Sequence, residues 1–190
     1  GRAAHPRRRL SFLRGRIAAK RALAGFCGDA TPAPALEVEA GVFQQPVARC
    51  PRPNLGVTLS HSDHLAVAAA FPESHPLGID LECLRTENLR ALRDQVAPGE
   101  LECLASLNLS EAETLTVLWS AKEALSKVLR GGLAVDFRSL AVNRASDLDG
   151  VVALGFAAFA HLRAEVLVAG DQVLALVLPT RTVARYERDA

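Results

Sequence analysis

The chain has 190 residues, a formal net charge of +1 and 49% hydrophobic residues, which suits one domain or two small fused halves and excludes a large multidomain enzyme. It contains no uninterrupted run of eighteen apolar residues and no apolar signal-peptide segment near its start. Its four cysteines lack metal-binding spacing. We therefore expect a globular, cytoplasmic protein that acts without a membrane and whose cysteines are reduced and mostly buried.

Positive charge is concentrated near the start of the chain. Residues 1–21 contain seven arginines and one lysine but no acidic residue. Such a segment attracts nucleic acid, an acidic protein surface or a phosphorylated ligand, and charge alone does not choose among them. Nucleic-acid binding is the least favoured of the three, because aromatic residues make up only 5% of the chain and the basic excess is confined to one end.

The first part of the chain predicts one helix followed by short strands. Apolar residues recur at helical spacing over residues 10–26. Two proline-rich loops follow at 29–34 and 46–53, and short apolar segments lie between them at 36–38 and 41–43. Beyond the loops, strand character is found in three segments: 56–59, 65–71 and 77–81.

The second part repeats this order. Ser110, with Glu113 three residues later, predicts a capping box that opens a long helix, and Gly131 and Gly132 predict its end. Short helices are expected before it, at 88–96 and 98–107. A meander of antiparallel strands is expected after it, over four segments: 140–143, 151–159, 165–168 and 172–178.

A helix followed by about three strands thus occurs twice, which predicts an α+β fold with a pseudo-twofold arrangement. Each half is expected to be a long helix packed on a small, mainly antiparallel sheet. We place the N-terminal half at residues 1–79 and the C-terminal half at residues 80–190, both forming one functional unit. A cleft between the halves is the expected place for a ligand.

Two carboxylates share one face of the strand predicted at 77–81. Apolar and acidic residues alternate there, so Asp80 and Glu82 project from the same side. Adjacent carboxylates repel each other unless a cation joins them, and such a pair suits Mg²⁺, which takes one or two carboxylates together with water and substrate phosphate. From this segment alone, a solvated strand edge is the favoured alternative.

The long helix adds a third carboxylate and two lysines. Glu123 and Lys127 are four residues apart and fit a simple exposed ion pair. The chain has 19 arginines and only three lysines, however, and a lysine in that background indicates a need for a compact charge or an exchangeable proton. Lys122 lies at the border of the polar stripe, and Trp119 fits either the core or a cleft wall. Helical periodicity places on this stripe Trp119, Glu123, Ser126, Lys127 and Arg130.

The segment Ser60-His61-Ser62 follows a predicted strand and invites a hydrolase interpretation. Neighbouring residues of a strand point to opposite faces, however, and the chain has no GxSxG motif. We therefore reject a catalytic triad. Hydroxyl groups and an imidazole at the end of a strand are better suited to hydrogen bonding with a phosphate.

Several short motifs occur in a characteristic order: LSHS at residues 59–62, LGIDLE at 77–82 and WSAKEALSK at 119–127. In this order they resemble the 4′-phosphopantetheinyl transferases of the surfactin-synthetase and enterobactin-synthetase type. GIDLE alone is a weak signal, whereas GIDLE followed by WSAKEALSK is highly specific. GRIAAKRAL at 15–23 and QQPVA at 44–48 resemble the enterobactin-associated branch in particular. The resemblance covers residues 10–145, and no later motif aligns.

The resemblance implies a transferase of polyketide or nonribosomal peptide biosynthesis. Such an enzyme moves the 4′-phosphopantetheine arm of coenzyme A to a serine hydroxyl of an acyl or peptidyl carrier protein, or of a carrier domain in a synthase. It releases adenosine 3′,5′-bisphosphate and requires Mg²⁺, with Mn²⁺ as the alternative ion. Both halves lie in one chain, so a monomer is expected.

The resemblance also implies roles for individual residues. Asp80, Glu82 and Glu123 hold the metal ion, and Glu123, Lys127 and Asp80 are the catalytic candidates. Glu123, directly or through a metal-bound water, is the acceptor of the serine proton. The nucleotide end, and above all the 3′-phosphate, is expected at Arg16, Ser60 and His61, and the adenine at Gln45 and Pro46. The full set of candidates for binding coenzyme A is Arg16, Lys20, Gln45, Pro46, Ser60, His61 and Lys122.

A catalytically silent homologue is the main alternative. It would bind carrier protein or coenzyme A without transfer, keep the fold and lose a metal carboxylate or a helix lysine. None of these residues is lost from the motifs of this chain.

Overall fold

Helix α1 (Pro6–Cys27) packs on a β-hairpin in the computed structural model, which describes residues 6–186 except 29–30, 43, 63, 85, 88 and 132–134. Its buried side consists of Gly15, Ala19 and Leu23. The helix begins four residues before the predicted start. Proline is favoured in a first helical turn and arginine forms helices well, but neither residue adds to the apolar periodicity on which the prediction was based. Leu10 and Ile17, which carried that period, are about half exposed.

Two hairpins follow α1. Strands β1 (Glu37–Ala40) and β2 (Pro46–Arg49) pair antiparallel, and so do β3 (Leu55–His61) and β4 (Ala66–Pro72). The sequence predicted strands close to β3 and β4, but it assigned the β2 region to a proline-rich loop. That assignment was wrong because Pro46 is the first residue of its strand, where a missing N–H is tolerated.

The remaining strands form one antiparallel sheet with the order β5-β9-β8-β7-β6. The predicted meander is confirmed. The strand expected at 77–81 is an edge strand of this five-stranded sheet and pairs with β9. The strand expected at 140–143 extends to Leu148 along a mostly exposed edge, whose polar residues gave no apolar signal. The strands are β5 (Gly78–Cys83), β6 (Val142–Leu148), β7 (Val151–Phe156), β8 (Leu162–Ala169) and β9 (Gln172–Pro179).

Three helices lie between β5 and β6: α2 (Leu89–Arg93), α3 (Glu100–Leu104) and α4 (Glu111–Val128). The predicted capping box of α4 is confirmed, since Ser110 and Glu113 exchange both of its hydrogen bonds. Helices α2 and α3 are shorter than predicted. Gly99, with a left-handed φ of 85°, sets the start of α3 after Pro98. Gly132, predicted at the end of α4, lies outside the described residues.

Helix α4 covers the five-stranded sheet and approaches its strand β5 very closely. A Cβ atom on Gly78 would lie 2.0 Å from the carbonyl oxygen of Ala124 and 2.8 Å from Cγ2 of Val128. Only glycine permits this distance. The close contact brings the acidic residues of β5 next to the polar side of α4.

The α+β class is confirmed: a long helix packs on antiparallel strands in each part of the chain. The main core lies between α4 and the five-stranded sheet, and a smaller core lies under α1. Among the described helices, none has the length and apolar character needed to cross a membrane. All four cysteines are free thiols, but they are half-buried and not buried as expected.

Candidate active site

Three carboxylates meet where β5 and α4 touch. Asp80 and Glu82 come from β5 and Glu123 comes from α4, and one oxygen atom of each lies within 4.8 Å of the others. Asp80 is 1% exposed, while Glu82 and Glu123 are half-buried. The strand alternation and the helix period thus bring together the three acids that the sequence singled out.

Asp80 is held by three donors. Its Oδ1 accepts hydrogen bonds from Ser60 Oγ at 2.9 Å and from Lys127 Nζ at 2.8 Å, and its Oδ2 accepts one from Ser120 Oγ at 2.8 Å. A buried carboxylate is costly unless it is paired and hydrogen-bonded. These donors therefore offset the cost of burying Asp80 and fix its orientation.

Glu82 is fixed by an indole. Nε1 of Trp119 donates a hydrogen bond of 3.1 Å to Oε1 of Glu82. The Trp119 ring packs 4.9 Å from the ring of Phe137 and lines a cavity of about 430 Å³ that Glu82 also borders. Trp119 thus forms a cleft wall and packs against the core, so both expectations for this residue apply.

The electrostatics of Glu123 reflect the crowded negative charge. Burial, followed by the charges of Asp80 and Glu82, raises the pKa of Glu123 to about 7, against the opposing effect of Lys127. The Lys127 ammonium lies 3.9 Å from the Glu123 carboxylate. A carboxyl group with this pKa exchanges protons near neutral pH, as a general base must.

The donor set fits a hard divalent cation. The cluster brings three carboxylates and one ammonium together. Oxygen donors are the preferred ligands of Mg²⁺, which uses few carboxylates and leaves positions for substrate phosphate.

The two lysines of α4 lie in different environments. Lys127 lies at the carboxylates, where its ammonium also donates to the carbonyl oxygen of Ile79 at 2.9 Å. Lys122 was expected at the border of the polar stripe, but it is 1% exposed and belongs to the core. Its ammonium bonds to Glu100 at 2.6 Å and to the carbonyl oxygen of Gln95 at 2.9 Å. Burial lowers the pKa of Lys122, although Glu100 opposes the change.

A groove runs beside the carboxylates between the two parts of the chain. It consists of a cavity of about 510 Å³ and a smaller one of about 180 Å³, which adjoin because they share Gln44, Pro46 and Leu59. The larger cavity is lined by residues of β2, β3 and α4, and the smaller one by residues of α1 and β3. Of the sequence-predicted residues, the groove is lined by Arg16, Gln45, Pro46, His61 and Lys127.

Two cationic or titratable side chains lie at the α1 end of the groove. Nδ1 of His61 is 2.9 Å from Oγ of Ser11, and the Arg16 guanidinium lies 4.8 Å from the ring centre of Phe12. Lys20, one turn further along α1, donates to the carbonyl oxygen of Ala33 at 3.4 Å and is not among the described lining residues of either cavity. The expected contact of Lys20 with coenzyme A stays a prediction.

Sequence reasoning missed three residues of this region. Ser120 lies within the motif WSAKEALSK, where its spacing of three residues from Glu123 was the available signal. Glu73 and Arg130 line the larger cavity and pair with each other at 3.0 Å. Arg130 was placed on the polar stripe without a role, and nothing in the sequence singled out Glu73.

Comparison with known proteins identifies the family of the chain. The family model described as 4′-phosphopantetheinyl transferase superfamily matches residues 76–177, a span that includes the three carboxylates and Lys127. One similar solved structure is Helicobacter pylori holo-[acyl-carrier-protein] synthase in complex with coenzyme A, with 15% identity and a TM-score of 0.41 over 55% of this chain and 99% of that one. No curated protein matches the chain in sequence. Because the family match covers more than half of its residues, the chain belongs to the 4′-phosphopantetheinyl transferase superfamily.

Proposed function

We propose that the chain transfers the 4′-phosphopantetheine arm of coenzyme A to a serine hydroxyl of an acyl or peptidyl carrier protein in an Mg²⁺-dependent reaction. One observation carries the proposal: Asp80, Glu82 and Glu123 converge beside a groove that has cationic side chains near both ends. Coenzyme A bears phosphate groups at two separate places, and its diphosphate is the reacting part.

The shape and charge of the groove support coenzyme A as the substrate. At one end Lys127 lies next to the carboxylates, and at the other Arg16 and His61 line the smaller cavity. We assign the diphosphate to the first end and the 3′-phosphate to the second, with Gln45 and Pro46 beside the adenine. In this assignment residues 1–79 bind the nucleotide end and residues 80–190 carry the reacting centre.

The proposed reaction is a displacement at phosphorus. The serine oxygen of the carrier forms a bond to the phosphorus that bears the pantetheine arm, and the bond from that phosphorus to the bridging oxygen breaks. Adenosine 3′,5′-bisphosphate leaves, and the serine proton passes to the carboxylate of Glu123. Asp80, Glu82 and Glu123 would hold Mg²⁺, which neutralises diphosphate charge when bound.

The neighbouring side chains hold the reacting centre in place. Ser60 and Ser120 orient Asp80 from two sides, and Trp119 orients Glu82. Lys127 bridges Asp80 and the backbone of Ile79, so its ammonium stays close to the site of negative charge. Catalysis of phosphoryl transfer depends on such positioning more than on covalent chemistry.

Within the family, we propose the enterobactin-associated branch. The support is the two segments GRIAAKRAL and QQPVA, whose residues Arg16, Gln45 and Pro46 line the groove. The test is a comparison of acyl and peptidyl carrier proteins as acceptors under identical conditions. Preference for a peptidyl carrier would support this branch, and exclusive use of an acyl carrier would contradict it.

The decisive test of the activity is mass spectrometry of apo-carrier proteins incubated with the chain, coenzyme A and Mg²⁺. We expect a gain of the phosphopantetheine mass, which is absent when EDTA replaces Mg²⁺ and when Glu123→Gln replaces the wild type. Glu102→Gln removes an exposed acid from α3 and is the matched control, which should stay active. An unmodified carrier with the wild-type chain would overturn the proposal.

A silent homologue remains the second candidate, because the site would also bind coenzyme A without transfer. Calorimetry with coenzyme A, made together with the carrier-modification assay, distinguishes the two candidates. A silent homologue binds coenzyme A in calorimetry but modifies no carrier at any Mg²⁺ concentration, whereas an active enzyme does both.

A further inference from the structure

We propose that Arg130 is a binding residue for coenzyme A: its guanidinium exchanges Glu73 for a phosphate group when the substrate occupies the larger cavity. This inference rests on the proposed function and assigns a role to a residue that lies outside the carboxylate cluster. Its evidence is the charge of the cavity lining, the exposure of the Arg130–Glu73 pair and the backbone at Arg130.

The larger cavity has few charged groups for a dianionic ligand. Among the described residues that line it, the charged ones are Lys127, Arg130 and Glu73. Lys127 is already bound to the buried carboxylate of Asp80 at 2.8 Å. Of the two described cations that line the cavity, Arg130 is thus the one that can exchange its partner at a low cost in free energy.

The Arg130–Glu73 pair is built to exchange. Its atoms are 3.0 Å apart, and the two side chains are 59% and 49% exposed. Ion pairs that are exposed to this degree contribute little to stability. A phosphate group with two free oxygens can accept hydrogen bonds from two N–H groups of the planar guanidinium at once, whereas Glu73 contacts Nη2 of Arg130 alone.

The backbone of Arg130 shows that arginine is not the most stable residue for this position. Arg130 follows the last turn of α4 with a left-handed φ of 56°. Its N–H bonds to the carbonyl oxygen of Lys127, and the N–H of Gly131 bonds to that of Ser126, which together define a Schellman motif. Glycine is the preferred residue at the left-handed position, so an arginine there costs stability. Strained residues of this kind cluster at ligand sites.

Arg130→Gly separates the two effects of this residue. It removes the guanidinium and relieves the backbone, so the melting temperature should stay the same or rise while the Kd and KM for coenzyme A rise about tenfold. The value of kcat should change less than about twofold, because the residue binds substrate in the ground state and transition state alike. Arg138→Ala removes another exposed, paired arginine and should leave all four quantities unchanged.

Glu73→Gln is the second variant. It frees Arg130 and removes a repelling carboxylate, so the Kd for coenzyme A should fall about threefold in the wild-type background and less in the Arg130→Gly background. Dephospho-coenzyme A identifies the phosphate involved. If the effect of Arg130→Gly persists with this ligand, Arg130 binds the diphosphate; if it disappears, Arg130 binds the 3′-phosphate.

Calorimetry with coenzyme A alone distinguishes a failure of this inference from a failure of the proposed function. Wild-type binding together with an unchanged Kd in folded Arg130→Gly would overturn this inference and leave the proposed function standing. A wild-type chain that does not bind coenzyme A would overturn both.

Discussion

Ser60 Oγ donates a hydrogen bond of 2.9 Å to Oδ1 of Asp80 and so joins β3 of the second hairpin to β5 of the five-stranded sheet. Ser60 belongs to the LSHS motif and Asp80 to the LGIDLE motif. Two motif residues that are twenty positions apart in sequence thus form one contact at the carboxylate cluster. A residue of the half that we propose to bind the nucleotide thereby orients a residue of the proposed metal site.

Ser60→Ala should lower the affinity for Mg²⁺ about tenfold, because Asp80 loses one of its three orienting donors. The cost to stability should be about 1 kcal/mol. Transfer rates measured against Mg²⁺ concentration give the affinity. Ser62→Ala is the control, since that hydroxyl accepts a hydrogen bond from the N–H of Leu65. Equal Mg²⁺ dependence of Ser60→Ala and the wild type would contradict the orienting role.

The stability of the metal-free chain should depend on the protonation of Glu123. The pKa of its carboxyl is raised from 4.5 to about 7 by folding, so the folded chain holds this proton more tightly than the unfolded chain does. The free energy of unfolding should therefore decrease as the pH rises from about 4.5 to about 7, and the contribution of Glu123 should be constant above that window.

Urea unfolding in EDTA at several pH values measures this effect. Glu123→Gln cannot ionise, so the difference between the wild type and this variant isolates Glu123 from other titrating groups. The two curves should converge at low pH and separate toward neutral pH, with the variant becoming relatively more stable. Parallel curves would show that the carboxyl titrates normally.

Lys122→Met should lower the free energy of unfolding by about 3–5 kcal/mol, because Glu100 would remain buried without its cation. Glu100 would keep the N–H groups of Ala97 and Val142, and Lys122→Met with Glu100→Gln should recover part of the loss. Urea titration checks stability, and KM for coenzyme A checks binding. A stable Lys122→Met chain with a raised KM would restore the role in coenzyme A binding that the sequence predicted.

Lys127→Arg should lower kcat about a hundredfold although it keeps the charge. The ammonium bonds at once to Asp80 and to the carbonyl oxygen of Ile79, and a planar guanidinium cannot occupy that space without displacing one of them. Steady-state rates give kcat, and Arg138→Lys is the control for an exposed cation exchange. A kcat within about twofold of the wild type would show that only the charge of Lys127 matters.

The acidic cluster could be predicted because its members follow two simple periods. Strand alternation put Asp80 and Glu82 on one face, and the family motifs supplied Glu123 on the facing helix. The environment of Lys122 could not be predicted in this way. Its burial depends on Glu100, which lies 22 residues away in sequence and on another helix, and no local pattern reports such a partner.

The fold, too, could be predicted only where the local sequence signal is strong. Elements with strong local signals, such as the capped helix α4, were predicted close to their observed bounds. The β1–β2 hairpin was missed because its stability comes from pairing and from its position beside β3, whereas its own sequence is short and contains a proline. The Arg130–Glu73 pair joins segments that are 57 residues apart, and neither segment contains a local pattern that predicts the pair.

The most direct test of the central claim is a Mn²⁺ titration followed by electron paramagnetic resonance in the presence of coenzyme A. The wild-type chain should bind about one ion, and Asp80→Asn, Glu82→Gln and Glu123→Gln should each weaken that binding about tenfold or more while circular dichroism shows a retained fold. Ion binding that is the same in all three variants as in the wild type would show that these carboxylates do not share a cation, and the proposed reaction would lose its centre.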